Sequence, residues 1–178
     1  MHAALALLSA AVLLATGASD AEARAHAEAL LGAIDRPVSA DRFRALGPAA
    51  LDLLAEVAAS GDRMPSLRAN ALGALASVDP GRAEPLARAL ADSDGAPPAL
   101  RQTAVRVLGR MLPAARLRSA IAPVLRAAPD AALRAVAAET LARHAPDLGC
   151  PEVMDQIALE TEGDRVAFER AAVLCAGR

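Results

Sequence analysis

Apolar residues return on one helical face in pair after pair of segments along this 178-residue chain. In LGPAALDLLAEVAAS, residues 46–60, Leu51, Leu54 and Val57 share a face at helical spacing. In MPSLRANALGALASV, residues 64–78, Leu67, Ala71, Leu75 and Val78 do the same. Ser60-Gly61-Asp62 turns the chain between them, so the two segments predict an antiparallel helical hairpin. One hairpin cannot bury its own apolar stripe, which must be covered by a neighbour.

The pattern supplies those neighbours at a fixed step. Leu67-Arg68, Leu100-Arg101 and Leu133-Arg134 recur every 33 residues, and Leu75, Leu108, Leu141 and Leu174 keep the same interval. The second hairpin is opened by Asp79-Pro80-Gly81 and turns between Asp92 and Pro98; the third starts at Pro113 and turns at Pro129-Asp130. The fourth reads PEVMDQIALETE from Pro151, turns at Gly163-Asp164 and ends in RVAFERAAVLC. Pro85 is expected in a first helical turn, and Pro123, falling mid-pattern, is expected to kink its helix. Upstream, a helix from Asp20 to Ile34 is closed by Arg36-Pro37, and a short helix from Ala40 to Leu46 is expected to be capped by Ser39. The fold class is therefore all-α: an α-solenoid of about four antiparallel helical hairpins.

Composition narrows the partners. The chain has no Trp, Tyr or Lys and only two Phe, Phe43 and Phe168, so it lacks the platforms on which single-stranded bases stack, and no lysine can complete a phosphate loop. Charge is uneven. Residues 1–62 carry four Arg and eight acids, residues 63–146 twelve Arg and six acids, and residues 147–178 three Arg and seven acids, for net charges of −4, +6 and −4. A solvated helical surface accounts for this; the alternatives are a basic middle offered to an acidic partner, or the acidic end of one copy stacked on the basic centre of another.

Ala3 to Ala18 is uncharged and is followed by Ala21-Glu22-Ala23 and Ala23-Arg24-Ala25, so residues 1–25 read as a secretory signal peptide. The same stretch would also serve as a retained N-terminal anchor or as a first buried helix. Cys150 and Cys175, 25 residues apart at the two ends of the last hairpin, are expected to form a disulfide, which persists in an oxidising compartment. Both readings place the protein in the periplasm or outside the cell. The domains are then residues 1–25 as leader, 26–46 as N-terminal helices, and 47–178 as a repeat domain whose hairpin 147–178 is a C-terminal cap.

LGPAALDLLAEVAA followed by PSLRANALGALASV resembles HEAT repeats, over residues 46–146 closely and 150–176 loosely. The resemblance implies a curved stack of paired helices, with a turn aspartate joined to the arginine that opens each second helix. Asp62 and Arg68 have that spacing; Asp94 and Arg101 depart from it by one residue, and Asp130 and Arg134 by two. Arg68, Arg101 and Arg134 are thus expected to be structural, although an equivalent stripe of guanidinium groups could also grip carboxylates or phosphates.

Chemistry is sparse. His2, His26 and His144 have no second ligand at metal spacing, and His144 is expected as a cation at a helix C-terminus. No catalytic residue, cofactor or metal is assigned. Arg106, Arg110, Glu139 and Arg143, on the solvent side of the second helices, form the candidate protein-binding surface. The expected function is a non-catalytic exported scaffold that binds a protein through its concave face, either alone or within a larger assembly, with no membrane contact beyond the leader. An accessory factor acting on an enzyme or cofactor-bearing protein is the alternative, because HEAT-like proteins include chromophore-lyase-like members. Nucleic-acid binding through residues 63–146, by analogy with HEAT-like DNA glycosylases, is the weakest reading and is not expected.

Overall fold

The computed structural model describes residues 19–32 and 39–177. Every regular element among the described residues is helical: α1 (19–31), α2 (Ala40–Ala45), α3 (Pro48–Ala59), α4 (Pro65–Val78), α5 (Pro80–Asp92), α6 (Pro98–Met111), α7 (Ala114–Ala127), α8 (Ala131–His144), α9 (Pro146–Leu159), α10 (Glu162–Arg165), a 3-10 turn at Val166–Phe168, and α11 (Glu169–Ala176). The apolar stretch expected as a leader lies outside the described residues up to position 18. Residues 19–25 of the expected leader belong to α1, where Arg24 pairs with Glu56 of α3. No described helix is long and apolar enough to cross a membrane.

Prolines set the helix starts. Pro48, Pro65, Pro80, Pro98 and Pro146 open α3, α4, α5, α6 and α9, where the fixed φ suits the first turn and no amide proton is missed. Gly47 turns the chain into α3 with a φ of +81°, a conformation that a side chain would strain. Ser39 precedes α2 but, against expectation, its hydroxyl makes no capping bond; the one buried residue of α2 is Phe43.

Three proline expectations are corrected. Pro85 lies inside α5, beyond its first turn, and Pro123 sits inside an uninterrupted α7. Pro151 does not open a helix: α9 begins at Pro146 and carries both Cys150 and Pro151 within it. Pro85, Pro123 and Pro151 are all exposed on the first helix of their hairpins. Water can therefore take the carbonyl that each leaves without a helical donor, which is why the helices continue.

The chain forms two compact units that meet in sequence between Asp79 and Pro80. In the first, α2 packs on both helices of the α3/α4 hairpin around Phe43, Leu53, Leu54, Val57, Leu72 and Leu75. The expected face of α4 is shifted: Leu72 is fully buried, while Leu67 and Val78 are only half-buried.

The second unit is a stack of three hairpins, α5/α6, α7/α8 and α9/α11. First helices α5, α7 and α9 touch in sequence order, and second helices α6, α8 and α11 do likewise, giving two layers with Leu100, Leu108, Leu117, Ile121, Leu125, Leu133 and Leu141 sealed between them. This is a helical-repeat arrangement, in which each hairpin buries its stripe on the next. Alanine makes α8 narrow enough to be covered on most sides, and two glycines bring its neighbours closer still. A Cβ on Gly109 of α6 would lie 2.4 Å from Thr140 Cγ2, and one on Gly149 of α9 would lie 2.9 Å from Leu141 Cβ.

The last hairpin turns at Glu160-Thr161 rather than at Gly163-Asp164, which lies inside α10. Thr161 caps that short helix by accepting from the Asp164 amide. Cys150 of α9 and Cys175 of α11 are joined by a disulfide across a Cα separation of 5.5 Å, pinning the two helices together.

Candidate functional site

The repeated arginines turn inward. Arg68 and Arg101 are both 8% exposed, and each donates its Nε–H to a carbonyl ten residues upstream, Arg68 to Ala58 and Arg101 to Ala91, both at 3.2 Å. Each guanidinium thus satisfies a carbonyl at the end of a first helix while opening the second. Arg134 does the same through Nη1, to Ala128 O at 2.8 Å and Pro129 O at 3.2 Å, because the turn before α8 is shorter.

The turn aspartates differ from one another. Asp94 reaches Arg101 Nη1 at 3.1 Å despite its extra residue of spacing. Asp62 instead accepts from the Ser60 hydroxyl, which holds its carboxyl below the usual range, and Arg68 adds little to this. Asp130 caps α8 by accepting from the Ala132 amide at 3.0 Å.

A second set of arginines joins successive first helices. Arg24 pairs with Glu56, Arg116 with Glu84, and Arg118 with Glu152, at separations of 32, 32 and 34 residues. Glu84 also takes Arg88 from its own helix, so two guanidinium groups hold it ionised below the usual range against the opposing effect of burial. Arg126 lies 3.8 Å from Glu152. The basic excess of the middle segment is therefore largely spent inside the fold.

What remains is on α6. Arg106 and Arg110, one turn apart and both exposed, have no carboxylate partner among the described residues. Across from them on α8, Arg143 is exposed and bonded to Glu139 at 2.8 Å, which is half-buried. His144 lies over Gly109, its ring 3.0 Å from where a Cβ would be. Burial, then Arg143, then Arg110 push its imidazole below the usual range, so the expected helix-terminal cation is corrected to a group held toward neutrality. The four residues expected on a binding surface thus fall on neighbouring helices, with guanidinium charge concentrated near the C-terminal ends of α6 and α8. Among the described residues, no group of His, Cys, Asp and Glu could hold a metal ion. Comparison with models of known families, with curated proteins and with solved structures finds no match for this chain.

Proposed function

We propose that this chain is a HEAT-type repeat protein of an oxidising, extracytoplasmic compartment that binds another protein through the exposed face of α6 and α8 and catalyses no reaction. Arg106 and Arg110 carry the reading. Most other arginines here meet glutamates, aspartates or carbonyls; Arg42 and Arg170 are also left to solvent among the described residues, but each singly, whereas Arg106 and Arg110 are an adjacent pair, and two like charges one turn apart cost stability unless a partner uses them. Arginine is also the basic residue best suited to an interface, because its planar fork binds carboxylates in pairs. The disulfide and the signal-peptide-like stretch support the compartment. The absence of stacking aromatics favours a protein over a nucleic acid.

The test is capture from the producing cell's envelope and medium with wild type, the double reversal Arg106→Glu with Arg110→Glu, and a control reversal Arg126→Glu on α7. The reading requires a protein retained by wild type and by the control but lost from the double reversal. An identical set on all three, or none on any, would refute it.

A further inference from the structure

Two junctions between hairpins in the second unit are built on the same plan, but the arginine of one meets a buried carboxylate from the next hairpin, and the arginine of the other meets only the exposed turn carboxylate of Asp94. Helices α7 and α9 are both fourteen residues long and align at a step of 32, so that Leu117, Ile121, Val124 and Ala128 of α7 correspond to Gly149, Val153, Gln156 and Glu160 of α9. At the later junction Glu160 binds Arg134, Nε to Oε1 at 2.7 Å and Nη2 to Oε2 at 2.5 Å, and Gln156 braces Oε1 at 2.7 Å. At the earlier junction the arginine is Arg101, and the places of Gln156 and Glu160 are taken by Val124 and Ala128. The room those smaller side chains leave is a cavity of about 260 Å³, lined by Arg101, Asp92, Asp94, Val124, Ala128 and Pro129 among others.

Arg101 is prepared for an incoming acid. Its side chain is 10% exposed, Nε is held by the Ala91 carbonyl, and Nη1 meets Asp94, whose own side chain is 85% exposed. We propose that this cavity binds a glutamyl side chain of a partner protein, its carboxylate pairing with Arg101 as Glu160 pairs with Arg134. The inference rests on the protein-binding reading and supplies a contact for it at a place separate from Arg106 and Arg110. Asp92 and Asp94 oppose a further negative charge, Asp94 from direct contact with Arg101; at the template Asp130 and Asp164 also lie within the field of the arginine, though not bonded to it, and Glu160 remains ionised there. Val124 and Pro129 provide an apolar wall for the methylene stem.

The test is a titration of the full-length oxidised protein with N-acetyl-glutamic acid α-amide, followed by the NMR signal of the Arg101 Nε–H group and the amides of residues 92–94 and 124–128. Saturable shifts are expected with this probe and none with the glutamine analogue, which has the same shape without the charge. Asp94→Asn, on an exposed turn, should tighten binding about threefold by releasing the guanidinium. Ala128→Glu should fill the cavity from within and weaken binding at least about tenfold. Ala127→Leu at the exposed mouth provides the same test should Ala128→Glu fail to fold. Equal shifts with both probes, no saturation, or unchanged affinity in the filled variants would overturn the proposal, and tighter binding of free glutarate would move the site to a small dicarboxylate. Reversal of Arg106 and Arg110 leaves this titration unchanged, so failure here is separable from failure of the α6/α8 surface.

Discussion

Arg134 of α8 and Glu160 at the end of α9 form a two-pronged ion pair between adjacent hairpins, with side chains 15% and 3% exposed. Desolvating two charges costs several kcal/mol each, and their attraction and the Gln156 bond offset that only while both are present. Glu160→Ala should therefore destabilise the protein by about 3 kcal/mol, because it strands a guanidinium. Replacing both, as Arg134→Met with Glu160→Leu, should recover most of the loss. Urea denaturation of the four-member cycle measures this; additive losses in the double variant would show that the pair is not coupled.

Acid should expose the same pair. The Arg134 bond, helped by Gln156 and opposed by burial, holds the Glu160 carboxyl below its ordinary value of 4.5. The unfolded chain then binds the proton more readily, so this stabilisation is present above about pH 4.5 and is lost as pH falls through the lower folded value. His144 acts in a higher window: burial, Arg143 and Arg110 depress it from 6.5, so stability declines as pH falls from above 6.5 toward its folded pKa. Stability measured against pH should fall in two stages, with His144→Gln flattening the upper and Glu160→Gln the lower. A profile that neither variant changes would contradict both assignments.

The disulfide should matter locally. Cys150 and Cys175 close a loop of 25 residues, for which chain entropy gives about 3 to 4 kcal/mol. Beyond it, the eight-residue α11 is held mainly by Phe168 and Ala171. Replacing both cysteines with serine should raise hydrogen exchange in α9–α11 well before α5–α8. Uniform acceleration across the second unit would mean that the last hairpin is not a separate opening unit.

The period of 33 residues made the hairpins readable, because Leu75, Leu108 and Leu141 hold the same buried position, each in its own hairpin. Boundaries were less readable where two signals competed. Pro146 and Pro151 both suit a helix start, and only the packing of Gly149 on Leu141 decides for the first. A structural role for Arg68, Arg101 and Arg134 was implied by the HEAT resemblance, but the carbonyls that they meet and the glutamate partners of Arg24, Arg116 and Arg118 were not legible. Their separation of about one repeat becomes contact only when the layers are stacked, and on a single helix each looks like an ordinary solvated charge. Glu160 was hidden for the same reason: at the polar end of the expected helical segment PEVMDQIALETE it looks solvated, yet it is 6% exposed.

Glycine provides a paired test of how closely the second helices pack. Both Gly73 of α4 and Gly109 of α6 sit inside helices, where alanine is intrinsically favoured by about 1 kcal/mol. At Gly73 nothing lies within 4 Å of an added Cβ, so Gly73→Ala should gain up to about that amount. At Gly109 the Cβ would meet Thr140 Cγ2 at 2.4 Å and His144 Cδ2 at 3.0 Å. The threonine methyl belongs to a short, stiff side chain whose hydroxyl is tied to the Val136 carbonyl at 2.7 Å, so it cannot swing aside without losing that bond. Gly109→Ala should therefore force α6 and α8 apart and cost about 1 to 3 kcal/mol despite the better helix former. Thermal or urea unfolding of the two variants should move in opposite directions, and restoring space with Thr140→Ser should recover part of the loss at Gly109 but leave the gain at Gly73 unchanged. If both alanines stabilised equally, the close approach of α6 to α8 would be wrong, and with it the placement of His144 beside Arg110.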